Sequence, residues 1–162
     1  MTNRHVLLVL ALAASVPAGA RAQGNANFSG TWALTRSDPP VAAGRGGGRG
    51  GGIGGPYSET TFNQAPPTIV ITQTGRDVAV QIGSAKAVFT LDGQTTSTPP
   101  GDVLALKTRA HWEDARLHLH YKQGMNWGRD ILSVDGGTLT LVRDLESGGG
   151  STTRTLTYSR AL

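Results

Sequence analysis

From Phe28 onward apolar and polar residues alternate almost one for one, and glycine-, proline- or aspartate-containing breaks interrupt the alternation at short intervals. A period of two with frequent turns is the pattern of antiparallel sheet. It predicts strands over Phe28–Thr35, Thr68–Thr74, Asp77–Ile82, Ala87–Leu91, Val103–Trp112, Arg116–Lys122, Trp127–Val134, Thr138–Arg143 and Thr152–Tyr158. Three turns set registers. Gly75-Arg76, with glycine first, suits a type II′ turn and pairs Gln73 with Val78, Ile71 with Val80 and Ile69 with Ile82. A two-residue turn at Asp114-Ala115 pairs Glu113 with Arg116, Trp112 with Leu117 and His111 with His118. Gly136-Gly137 pairs Val134 with Leu139, Leu132 with Leu141 and Asp130 with Arg143, an ion pair in the same row as the apolar pairs. Residues 94–101, containing Pro99-Pro100-Gly101, read as a polar connection. Beyond the N-terminal segment nothing carries a helical period.

A meander of eight to ten strands joined in sequence order buries its edges by closing on itself, so the expected fold is all-β, an antiparallel up-and-down barrel. In a closed barrel alternate residues point inward. The inward set is Ile69, Ile71, Val80, Ile82, Phe89, Leu91, Leu104, Leu106, Trp112, Leu117, Leu119 and Tyr121. Of these, Ile71, Val80, Phe89, Leu106, Trp112, Leu119 and Tyr121 are the candidate lining for a small apolar molecule.

The N-terminus adds a compartment. Arg4 precedes an apolar run from Val6 to Val16, Pro17 and Gly19 break it, and Ala20-Arg21-Ala22 offers small residues where a signal peptidase reads. Residues 1–22 are therefore expected to be a cleaved signal peptide, giving a periplasmic or extracellular protein that begins at Gln23. The apolar run is far short of the ~20 residues that span a bilayer. Residues 23–162 make one domain. Arg4 and Arg21 leave with the leader, so 15 basic residues against 11 acidic become 13 against 11, a net charge of +2. No concentrated basic face remains for a nucleic acid. Residues 41–56 are glycine-rich, with nine glycines between Gly44 and Gly55. Such a tract buries too little to offset its backbone entropy and is expected to be a disordered loop. The absence of cysteine excludes disulfides and thiol chemistry.

Phe28-Ser29-Gly30-Thr31-Trp32 resembles the opening strand of the lipocalin-like (calycin-type) barrels, where a Gly-x-Trp motif starts the first strand. The Asp38-Pro39-Pro40 loop and the terminal Tyr158-Ser159-Arg160 extend the resemblance to small exported bacterial proteins of that fold. The resemblance implies that Trp32 closes one end of the barrel and packs on a basic side chain near the last strand, Arg154 or Arg160. It also implies a small apolar ligand in the interior. The family's Thr-Asp-Tyr-like turn and C-terminal helix are not found here.

No nucleophile elbow, phosphate loop, dinucleotide fingerprint or His-Glu-x-x-His motif occurs, which argues for a binding protein without a cofactor rather than an enzyme. One constellation stands out. With the turn at Asp114-Ala115, His111 faces His118, and His120 shares the face of His118. Three imidazoles so placed suit a zinc site with an open fourth position, the basis of a metal-dependent hydrolase or hydratase. Against it, Lys107, Arg109, Glu113 and Arg116 lie on the same face, which then reads as a solvated polar exterior. A further alternative is an envelope interaction module that works through its loops.

Overall fold

The structure is a computed structural model that describes residues 26–40, 65–98, 105–147 and 150–161. The leader, the glycine tract and Leu104 lie outside the described residues. The described residues form ten strands: β1 (Gly30–Asp38), β2 (Thr68–Gln73), β3 (Asp77–Ile82), β4 (Ala85–Thr90), β5 (Thr96–Thr98), β6 (Leu106–Glu113), β7 (Arg116–Gln123), β8 (Asn126–Asp135), β9 (Thr138–Ser147) and β10 (Gly150–Arg160). They form one antiparallel sheet in the order β4-β3-β2-β1-β10-β9-β8-β7-β6-β5. The first and last strands are neighbours, and the two ends of the sheet are consecutive in the chain. The result is a nearly closed up-and-down barrel. At the remaining seam β4 lies against β6, and contact there runs through side chains. Thr108 Oγ1 donates to Val88 O at 2.8 Å, and the hydroxyls of Thr90 and Thr96 are 3.3 Å apart.

The expected registers hold at three hairpins. Ile71 opposes Val80 and Gln73 opposes Val78, His111 opposes His118, and Leu132 and Asp130 oppose Leu141 and Arg143. Asp114 and Gly136 take the positive φ values, 54° and 55°, that these tight turns require. The turn at Gly75 departs from expectation, since Gly75 has no positive φ and so does not form a type II′ turn. The Thr74 hydroxyl organises it instead, accepting from the amides of Arg76 at 3.3 Å and Asp77 at 2.9 Å. A threonine that satisfies turn amides removes the need for a left-handed glycine.

Two further corrections concern boundaries. The connection at 94–101 contains β5, whose three polar residues pair with Leu106, Lys107 and Thr108 of β6. β1 begins at Gly30, leaving Phe28 just ahead of the strand but fully buried. Between Leu34 and Arg36 β1 carries a bulge against β10, where Thr35 Oγ1 donates to Thr157 O at 3.0 Å.

The core is the inside of the barrel. It comprises Phe28, Trp32, Ile69, Ile71, Val78, Val80, Ala87, Phe89, Ala110, Leu117, Leu119, Tyr121, Leu132, Leu139, Leu141, Leu145, Leu156 and Tyr158. Trp32 is fully buried and its Nε1 donates to Phe28 O at 2.9 Å. The Arg160 guanidinium carbon sits 4.5 Å from the Trp32 ring centroid, and Arg160 Nη1 donates to Ser29 O at 2.8 Å. This also explains Gly30. Its φ is +147°, and a Cβ there would lie 2.5 Å from Arg160 Nη1. The spacing of glycine and tryptophan thus leaves room for the arginine that covers the ring. Arg154 plays a different part, donating from Nη1 to Ser37 Oγ at 3.1 Å and Pro39 O at 3.2 Å.

Candidate functional site

Each strand has an inner and an outer face, and each face carries its own chemistry. On the inner face, Ile71, Val80, Phe89, Leu119 and Tyr121 are buried. Leu106 and Trp112 are half-buried and pack against them, with the Trp112 ring stacked on Phe28 at 5.7 Å between centroids. All seven candidate lining residues therefore face one apolar interior. The ion pair expected in the row of apolar pairs lies within that interior. Asp130 of β8 and Arg143 of β9 are 1% and 2% exposed, although their row is otherwise apolar. Arg143 Nε donates to Asp130 Oδ1 at 2.9 Å and Nη2 donates to Oδ2 at 2.8 Å, a two-pronged pair. The Tyr121 hydroxyl adds a third bond, to Asp130 Oδ1 at 3.2 Å.

Gly128 makes this arrangement fit. A Cβ at position 128 would run into the Tyr121 ring, so only glycine lets Tyr121 reach across to Asp130. Tyr158 completes the polar group. Burial pushes its phenol well above the ordinary value, with Arg143 pulling it back and Asp130 adding to the rise. Its hydroxyl is buried and makes no hydrogen bond with the described residues.

On the outer face of β6 and β7 the three histidines come together. His111 and His118 are paired across the hairpin and His120 is two residues on. Their ring centroids lie 5.0, 5.2 and 6.4 Å apart, and one ligand nitrogen from each lies within 4.8 Å of the others. The charged residues expected on this face, Lys107, Arg109, Glu113 and Arg116, are exposed, but the histidines among them are not. His118 is only 4% exposed, and His111 and His120 are half-buried. The cause is lateral: His118 opposes His111 on one side and Ile131 of β8 on the other.

Burial lowers His118 below the ordinary imidazole value of 6.5, with Glu113 opposing that shift. It brings His120 down to about 4, helped by Arg109, His111, His118 and Arg129. Glu113 Oε2 stands 2.9 Å from His118 Nε2, close enough for ion pairing but without the alignment of a hydrogen bond, which Nε2 lacks. Beside the cluster is an open cleft of about 260 Å³ lined by Lys107, Arg109, His120, Lys122 and Trp127 among others.

No family model and no curated protein matches the sequence. Solved structures do match in shape. A secretary abundant heat soluble (SAHS) protein from Ramazzottius varieornatus superposes with a TM-score of 0.53 at 12% identity, covering 83% of this chain and 95% of that one. The REP1-NXSQ fatty acid transporter gives 0.53 at 19% identity, over 83% and 96%. Echinococcus granulosus fatty-acid-binding protein 1 gives 0.52 at 14% identity, over 83% and 98%. The fold is that of the lipocalin and fatty-acid-binding barrels. At these identities the likeness is one of fold. It agrees with the up-and-down barrel expected from the alternating pattern.

Proposed function

We propose that this protein is an exported carrier that holds a small apolar molecule inside its barrel. The leader, removed ahead of Gln23, would deliver it to the periplasm or beyond, and N-terminal sequencing of the mature chain checks that step. The reading is supported by the apolar side chains that line the inside of the barrel and by the fatty-acid-handling names of two structural neighbours. The observation that carries it furthest is the state of the interior polar group. The Arg143 charge is already balanced by Asp130, while the Tyr158 hydroxyl is buried without a hydrogen bond among the described residues. An anionic headgroup would have to compete with a carboxylate that is built in. An uncharged end, a hydroxyl or a carbonyl, would bond the Tyr158 hydroxyl and leave the pair intact. The ligand class is therefore a neutral lipid-like molecule carrying one polar end.

Titration of the mature protein with a long-chain alcohol and the matching carboxylic acid, followed by tryptophan fluorescence, tests this. Saturable binding of the alcohol ahead of the acid is expected. Tyr158→Phe should weaken the alcohol by about tenfold, the worth of one net hydrogen bond of ~1–1.5 kcal/mol. No saturable binding of either would overturn the carrier reading, and preference for the acid would overturn the neutral ligand class.

A further inference from the structure

The apolar interior leaves the three outer-face histidines without a role. The geometry points to a second site: we propose that His111, His118 and His120 bind one divalent transition cation of the zinc class, with Glu113 supplying the neighbouring carboxylate. The site is independent of the carrier reading. His118 and His120 alternate with Leu117, Leu119 and Tyr121 along β7, so the two sets of side chains leave opposite faces of the sheet.

Three observations carry the proposal. The first is convergence. One nitrogen from each ring lies within 4.8 Å of the other two. Tetrahedral ligation with bonds of ~2.0–2.1 Å holds nitrogens about 3.4 Å apart, so the widest pair closes by no more than about 1.4 Å, a movement within side-chain rotation. The second is that a ring nitrogen is left over. His120 Nε2 is buried and has no hydrogen-bond partner among the described residues. Buried polar atoms of that kind cost free energy unless something satisfies them, and a cation does so through the lone pair of a neutral ring. The third is the carboxylate, with Glu113 Oε2 already 2.9 Å from His118 Nε2. Imidazole donors select zinc-like ions over calcium or magnesium, which require oxygen donors.

The opposing field is weaker than the count of arginines implies. Arg129, the neighbour of His120 on β8, is held by Asp144 at 2.7 Å, and Asp144 is also bonded by Thr153 Oγ1 at 2.8 Å. Arg109, Arg116, Lys107 and Lys122 are exposed, so water screens them. Glu113 offsets part of the remainder. The charge environment therefore permits a dication, and the clustered neutral rings receive it.

The test uses tag-free mature protein and zinc chloride, followed by calorimetry. The expected result is one zinc per chain, no uptake of calcium, and a higher melting temperature with zinc. His111→Ala, His118→Gln and His120→Ala should each weaken zinc by at least tenfold, and Glu113→Gln by about tenfold, as loss of a supporting carboxylate does elsewhere. Circular dichroism confirms that each variant folds. Should one fail to fold, ¹⁵N chemical shifts of the wild-type imidazoles decide the matter, since zinc must move a ring nitrogen in all three histidines together. Absence of saturable zinc binding overturns the proposal. So does undiminished binding after all three histidines are replaced, or zinc-induced shifts in fewer than three rings.

Discussion

Arg160 and Trp32 are directly opposed across the last and first strands, with the guanidinium carbon 4.5 Å from the indole centroid. One residue comes from the first described strand and one from the last, so the contact reinforces the β1–β10 ladder and covers the indole ring at the same point. Trp32→Ala is expected to cost ~3–5 kcal/mol in denaturant unfolding, the range for losing a buried large aromatic. Arg160→Ala should cost much less, about 0.5–1 kcal/mol for an exposed cation over a ring. Equal costs would show that the arginine, through Ser29 O, holds the end of the barrel more firmly than the ring does.

The Asp130–Arg143 pair offers a sharper contrast. Asp130→Asn leaves a buried guanidinium without its counter-charge and is expected to cost ~3–5 kcal/mol. Replacing both, as Asp130→Leu with Arg143→Met, should recover most of that loss because no charge then remains buried. A double-mutant cycle measured by urea unfolding reads the coupling directly. A double variant as unstable as the single one would mean that Tyr121, which also bonds Asp130, is the member the interior depends on.

Acid should weaken the metal-free protein through its histidines. In the folded state His120 takes a proton only near pH 4, because burial comes first and Arg109, His111, His118 and Arg129 add to it. In the unfolded chain the same ring takes a proton near 6.5. Between those values the unfolded state binds more protons, so stability falls as pH drops from 6.5 towards 4 and levels off below. His118 shifts in the same direction. Denaturation midpoints collected across that window should lose part of their slope in His120→Gln, and an unchanged slope would place the acid sensitivity elsewhere.

Much of the barrel was legible because a strand has only two faces. Once Asp114-Ala115 and Gly136-Gly137 were placed as two-residue turns, every pairing back along β6–β7 and β8–β9 followed, including Asp130 with Arg143. What escaped was set by partners distant in sequence. β5 contains Thr96, Ser97 and Thr98, with no apolar alternation, and is a strand because β6 offers it a ladder. The choice of Arg160 over Arg154 depended on which residue of β10 stands opposite Trp32. His118 sits on the polar face by periodicity, yet His111 and Ile131 flank it on both sides and bury it. The turn at Gly75 looked like a matter of glycine because the Thr74 hydroxyl, a local competitor for the same amides, was overlooked.

The seam at β4 has its own consequence for molecular traffic. Every other neighbouring pair of strands is joined by a backbone ladder, so parting them means breaking a row of backbone hydrogen bonds at once. Between β4 and the β5–β6 edge the described links are the Thr108 and Thr90–Thr96 side-chain contacts, and rotating three threonine hydroxyls releases them. A wall with one zipped line undone is a doorway whose hinges are the adjoining ladders. Under the carrier reading, a guest passing there would enter the interior beside Ala87 and Phe89, the buried residues of β4.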